Sequence, residues 1–197
     1  MSSSDATYIR ILRDAYDRDS DTYDERFREL QLPKYTAFLE EFGEVLSGGG
    51  TLLDLGCGTG LLREFLSSHG HPSTKIVGVD IAPRMLIHAS RRGVYSVAAE
   101  IARLPFACAT FSMATCITVL RIFPVPELPM LEEVRRVLKP GGRFFLSVLS
   151  RVSDASLRTG LRAAGFKIER MRTCGQDIGY VCRLPAPLVR RQRISDS

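Results

Sequence analysis

The chain has 197 residues, 45% of them hydrophobic and 25% charged, with a formal net charge of +5. That size and composition fit one globular domain with its own core and exclude a disordered chain. No apolar stretch approaches the ~20 residues a helix needs to cross a bilayer, so a protein without membrane insertion is expected.

Five cysteines without a C-x-x-C pair argue against a disulfide framework and against a zinc site. A reducing, cytoplasmic setting is expected. The N-terminus, Met-Ser-Ser-Ser-Asp-Ala-Thr, has no basic-then-apolar signal pattern.

In chain order, residues 8–46 read as helices interrupted near Pro33, and Gly48-Gly49-Gly50 closes that segment. Strands are predicted near 51–55, 75–80, 94–98, 112–118, 142–149, 166–173 and 178–184. Helices are predicted near 59–69, 83–92, 126–138 and 155–164. Leu61, Leu62, Phe65 and Leu66 give the first of these its apolar stripe. Alternation at this pace predicts an α/β, doubly wound, mostly parallel seven-stranded sheet with helices on both faces. A few polar residues around Gly175-Gln176-Asp177 separate the last two strands, which therefore pair as a hairpin, the last strand antiparallel. Three units result: a helical segment over 1–47, the sheet domain over 48–184, and a basic, flexible tail over 185–197.

The run Leu52-Leu53-Asp54-Leu55-Gly56-Cys57-Gly58-Thr59-Gly60 is a strand, a carboxylate, then a glycine turn opening a helix. Strand, glycine turn and helix form the nucleotide-binding geometry of doubly wound folds. The dinucleotide pattern G-x-G-x-x-G fails in both frames, because Leu61 and Arg63 stand where the third glycine belongs. Asp54 at the mouth of the turn would repel a pyrophosphate by roughly 1–4 kcal/mol in a wet site. It suits instead a cofactor with cationic groups and no phosphate, such as S-adenosylmethionine. Asp80 closes the next strand, where an acid accepts hydrogen bonds from ribose hydroxyls.

With these stand Leu104-Pro105-Phe106, a strand at Phe111 to Thr118, and Glu133-Val134-Arg135-Arg136-Val137-Leu138-Lys139-Pro140-Gly141-Gly142-Arg143. Together they resemble the class I S-adenosylmethionine-dependent methyltransferases, especially the small type-11 group, over about Tyr35 to Leu184. The resemblance implies S-adenosylmethionine as cofactor, with Asp54, Gly56, Cys57, Gly58 and Gly60 around its methionine part. It implies Asp80 at the ribose, and Ile81 and Met85 beside the adenine. Glu100 and Ile101 take the place of an acid-plus-small pair at the adenine edge. Cys116 and Ile117 would reach the cofactor through backbone. Two departures are visible: Glu100 replaces the usual Asp, and Phe111-Ser112 replaces Phe-Asp. No Asn-Pro-Pro-Tyr type sequence follows the fourth strand, which weakens an assignment to amino-methylating DNA or RNA enzymes.

Tyr16-Asp17-Arg18 and Thr22-Tyr23-Asp24-Glu25 resemble the family's Y-D boxes, in a segment that folds over the cofactor and substrate site. Tyr16 and Tyr23 could cap a sulfonium by cation–π contact, or simply pack a helix on the core. Arg121, just beyond the fourth strand, could clamp a substrate carboxylate or phosphate, or pair with Glu127 or an N-terminal acid. His69, His71 and His88 fall away from the strand ends where ligands bind, and no general base is evident. Only Ser150 to Asp154 link the fifth strand to the next helix, so any roof comes from the N-terminal segment or a second subunit of a homo-oligomer.

The expected activity is in-line methyl transfer to a small-molecule acceptor. The alternatives are an inactive binding or regulatory subunit of the same fold, or a methyltransferase for RNA or protein. The arginine clusters at Arg91-Arg92, Arg135-Arg136 and Arg190-Arg191-Gln192-Arg193 read mainly as solvated faces, which makes nucleic acid a minor expectation.

Overall fold

The computed structural model describes residues 3–119, 128–151 and 154–186. Arg121 and the Arg190-Arg191-Gln192-Arg193 cluster lie outside the described residues.

Two helices come first, α1 (Ser3–Asp19) and α2 (Tyr23–Ser47). Strands and helices then alternate: β1 (Thr51–Leu55), α3 (Leu61–Ser68), β2 (Lys75–Asp80), α4 (Pro83–Arg91) and β3 (Tyr95–Ala98). They continue as β4 (Phe111–Ile117), α5 (Leu128–Val137), β5 (Leu138–Leu149), α6 (Asp154–Ala163), β6 (Lys167–Cys174) and β7 (Asp177–Arg183). The seven strands form one sheet in the order β3-β2-β1-β4-β5-β7-β6. Only β7 runs antiparallel to its neighbours, and Cys174 pairs with Asp177 across the Gly175-Gln176 turn. The expected doubly wound sheet and terminal hairpin are both present.

Side chains alternate across the strands and divide the core in two. Leu53, Leu55, Val79, Phe144 and Leu146 pack against α5 and α6. Leu52, Ile76, Met113 and Phe145 face α2, α3 and α4. Asp54 therefore falls on the α2 side, a placement that matters below.

One expectation fails. The N-terminal helices do not break near Pro33; α2 runs through it, and the break falls at 20–22. An interior proline removes one hydrogen bond and crowds the preceding turn, typically about 3 kcal/mol. Packing outweighs this, because Tyr35, Phe38, Phe42 and Leu46 recur on one face and are all buried. Phe38 and Phe42 stack at 4.8 Å, and each meets Phe145 edge-on.

A second difference is small. The fifth strand begins at Leu138, opposite Phe111, and pairing resumes at Arg143 opposite Met113. The intervening residues loop out, with Gly141 at φ +80° and its N–H donating to Leu184 O at 2.8 Å.

The E-x-x-R portion of the long motif has a mechanical role. Glu133 Oε2 accepts from Leu104 N at 2.7 Å, and Arg136 Nη1 and Nη2 donate to the carbonyls of Phe106 and Leu104 at 2.6 and 2.9 Å. Arg136 Nε also pairs with Glu133 at 2.7 Å. Together they clip the loop before β4 onto α5, and that loop carries Glu100 and Ile101. Arg136→Met should lower stability by about 2–3 kcal/mol, the scale of lost charged hydrogen bonds. Thermal melting checks this, and an unchanged midpoint would refute the clip.

Candidate functional site

The C-terminal ends of β1, β2 and β4 open onto a cavity of about 440 Å³. Its floor is built by the glycine turn. The N–H groups of Gly56 and Cys57 both donate to Val79 O, at 2.7 and 3.1 Å, which pins the turn to β2. Gly56 sits at φ +70°, and a Cβ there would lie 2.3 Å from Val119 Cγ2. No other residue fits that position without moving the strand-end loop. Gly60 begins α3 at φ +83°, where a Cβ would meet the Ala89 backbone at 3.0 Å.

Two carboxylates stand here in different circumstances. Asp80 Oδ2 accepts from Gly58 N at 2.9 Å and Oδ1 from Ala82 N at 3.0 Å. Burial raises its carboxyl above the usual range, and backbone N–H groups of Ala82, Gly58 and Ile81 pull it back. Asp54 is 5% exposed, and no backbone N–H pulls its carboxyl back as Ala82 and Gly58 do for Asp80. Burial, with the charge of Asp80 added, pushes its carboxyl up to about 7. Backbone N–H groups steady one acid and not the other.

Of the residues singled out from sequence, Gly56, Gly58, Asp80, Ile81 and Met85 line this cavity. Glu100, Ile101, Ile117, Tyr16 and Tyr23 line it too. Tyr23 packs between Tyr16 and Phe27, with ring centroids 6.3 and 4.7 Å away. Asp54, Cys57, Gly60 and Cys116 do not line it. Cys57 is buried with its sulfur toward Gly78, and burial holds its thiol well above the ordinary range, so it is no nucleophile. Cys116 is fully buried in the core on the α5 and α6 side.

Sequence reasoning missed Tyr8, Ile9 and Leu12 of α1, and Thr118, Val119 and Arg151 beyond the strand ends. Tyr8, Leu12 and Tyr16 recur every fourth residue, a helical stripe that was readable in the sequence. Thr118 gave no such signal. It holds φ +56°, a conformation β-branched residues avoid.

Ion pairs fasten the helices over the site. Asp24 accepts from Thr59 Oγ1 at 2.6 Å and pairs with Arg92, which also reaches Glu64 at 2.8 Å and Thr59 O at 2.7 Å. Asp17 accepts from Arg84 N at 2.8 Å, and Asp21 pairs with Arg84 at 2.7 Å. Arg92 and Arg136, each half of a sequence cluster, are thus engaged in internal pairs. Among the described residues, no helix is long and apolar enough to cross a membrane, and no cluster of His, Cys, Asp or Glu is arranged to hold a metal ion.

Residues 52–142 match the family described as "Methyltransferase domain". A ubiquinone biosynthesis O-methyltransferase of Paraburkholderia xenovorans is 34% identical over 110 residues, covering 52% of this chain and 46% of that protein. A demethylmenaquinone methyltransferase of Symbiobacterium thermophilum is 29% identical over 162 residues, covering 77% and 64%. The matched part of this chain thus spans about half to two thirds of these relatives' lengths. Among solved structures, a SAM-dependent methyltransferase from Thermotoga maritima superposes with a TM-score of 0.66 at 21% identity, over 86% of this chain and 98% of that one. The acid-ended first strand, its glycine turn and these similarities converge: residues 52–142 match a methyltransferase domain, and the chain has the fold of S-adenosylmethionine-dependent methyltransferases.

Proposed function

We propose that this chain transfers a methyl group from S-adenosylmethionine to a small-molecule acceptor. One observation carries the reading: a buried acid, Asp54, its carboxyl pushed up by burial and by Asp80, sits behind a glycine turn whose other side opens on a large cavity. A buried carboxylate of that kind is stabilised by a cation and repelled by a diphosphate.

The residues present fit the cofactor. Asp54, behind the turn, would attract its ammonium group by charge, and Asp80, whose oxygens retain free lone pairs, would accept ribose hydroxyls. Ile81, Met85 and Ile101 offer apolar walls to an adenine ring, with Glu100 at its edge. When bound, the cofactor supplies an activated methyl on a sulfonium leaving group. The chain then has to orient the acceptor and exclude water, and holding reactants in near-attack geometry is worth roughly 7–11 kcal/mol. Tyr8, Ile9 and Leu12 of α1 support the water-excluding part, since they turn apolar surface toward the cavity. Tyr23 brings its ring close to Gly58. The relatives named for ubiquinone biosynthesis O-methylation and demethylmenaquinone methylation support a small acceptor.

Calorimetry tests the cofactor assignment directly. S-adenosylmethionine and S-adenosylhomocysteine should both bind with one site per chain, and NADH should not compete. NADH binding in their place would overturn the reading.

A further inference from the structure

A second, smaller cavity of about 120 Å³ lies beside the first, and the two share Tyr16, Tyr23 and Thr118. Phe27 adds a ring to its wall. Its polar lining includes Glu29, Gln31 and Lys34 of α2, Thr118 beyond β4 and Gln176 from the turn before β7, and of these Gln31, Lys34 and Thr118 are buried. Lys34 Nζ donates to Thr118 Oγ1 at 2.8 Å and lies 3.5 Å from Asp177 Oδ1. Gln31 differs. Its Oε1 is buried and meets no donor among the described residues. A buried amide oxygen left unbonded is destabilising, and native structures retain few of them without a purpose.

We propose that this second cavity is the acceptor subsite and that Gln31 is a specificity-determining residue within it. It takes a small aromatic ring bearing a hydroxyl that donates to Gln31 Oε1. The inference rests on the methyltransferase reading above and names the acceptor class for that same site.

Four observations lead there. The shared wall means that a ring in the small cavity adjoins whatever occupies the large one. At about 120 Å³ the volume is near the ~150 Å³ of an apolar cavity that takes up benzene, so it is of single-ring size and too small for a peptide or a polycyclic molecule. The aromatic side chains of Tyr16, Tyr23 and Phe27 match a flat partner by offset or edge-on stacking. An unbonded acceptor oxygen calls for a donor, which a ring hydroxyl supplies. Thr118 fits the same picture. It is strained at φ +56°, borders both cavities, and is held there by Oγ1 donating to Asp177 Oδ2 at 2.7 Å. Strain of that kind concentrates where two ligands must meet.

The test uses the full chain saturated with S-adenosylhomocysteine, with catechol as probe and 1,2-dimethoxybenzene as the ring without a donor. Catechol should bind about tenfold or more tightly than the dimethoxy compound, because only catechol satisfies the amide. Gln31→Met should lose about tenfold in catechol affinity and level the two probes. It should keep S-adenosylhomocysteine affinity and melt close to the wild type, since it removes the unbonded oxygen, keeps the side chain's length and leaves the large cavity's lining untouched. In the wild type, magnetisation transfer from the Tyr23 and Phe27 rings to catechol gives a readout independent of any variant. Equal affinity for the two probes, no transfer from those rings, or a Met variant that melts lower with catechol binding intact would each overturn the subsite. Failure of S-adenosylhomocysteine to bind the wild type would overturn the cofactor reading and this inference together. Failure of catechol alone, with the cofactor product bound, would overturn only the inference.

Discussion

Replacing Asp54 with Asn is expected to raise the melting temperature at pH 8 and to weaken S-adenosylmethionine binding about tenfold or more in the same protein. Both effects follow from one carboxyl. In the folded chain its pKa is about 7, against an ordinary 3.8, because burial and the neighbouring Asp80 disfavour its charge. Below pH 3.8 the group is neutral whether the chain is folded or not, and it contributes no pH dependence. Between these values the folded chain holds a proton that the unfolded chain has released, so stability falls as pH rises. Above about pH 7 the ionised group is in place at its full cost, on the order of 2–4 kcal/mol. Asn carries no charge and escapes this cost. The gap in melting temperature between Asn and wild type should therefore open as pH climbs from 4 to 8.

The same titration should govern affinity, with the opposite sign. Only the ionised carboxylate attracts an ammonium, so wild-type affinity for S-adenosylmethionine should increase with pH through about 7, while the Asn variant stays flat. Cofactor binding would restore what ionisation takes from the fold. An Asn variant that binds as tightly as wild type, or melts lower at pH 8, would show that Asp54 is a structural acid and not a cofactor ligand.

Much of the architecture was legible because its signals are local. Buried parallel strands read as apolar runs, and each of β1 and β2 ends near a carboxylate that no core would place there without reason. The glycine turn could be read because Gly56 and Gly60 answer to sterics that any side chain would violate. Pro33 misled for the opposite reason. Its local penalty is real, but the decision lies with Phe38, Phe42 and Phe145, which are brought together only by the tertiary fold. The roof shows the same divide. Tyr8, Leu12 and Tyr16 form a visible stripe, yet a stripe does not say whether it covers a core or a cavity. Lys34 and Asp177 were not legible at all, since a lysine on a helix is ordinarily a solvated one. Nothing near either residue in the chain announces the other.

That buried pair supports the second large effect. Lys34 is 4% exposed and Asp177 fully buried, and Asp177 Oδ2 also accepts from Thr118 Oγ1 at 2.7 Å and Ser147 Oγ at 2.9 Å. Removing one partner strands the other charge away from water, which typically costs 3–5 kcal/mol. Lys34→Met and Asp177→Leu should each lower the melting temperature by roughly 10 °C, taking about 2–4 °C per kcal/mol for a chain of this size. The double variant has no buried charge left to strand. It should recover much of the loss, with a coupling energy of about 2 kcal/mol or more from the cycle. Simple additivity of the two losses would mean that the two side chains do not depend on each other. The cycle also reports on the site, because Thr118 loses its hold when Asp177 is gone. In Asp177→Leu, but not in Lys34→Met, Thr118 Oγ1 and Ser147 Oγ lose the acceptor they share, and Thr118 should leave its strained backbone conformation. S-adenosylhomocysteine affinity should then fall in the Leu variant more than its stability loss alone accounts for, since Thr118 borders the large cavity and Lys34 does not.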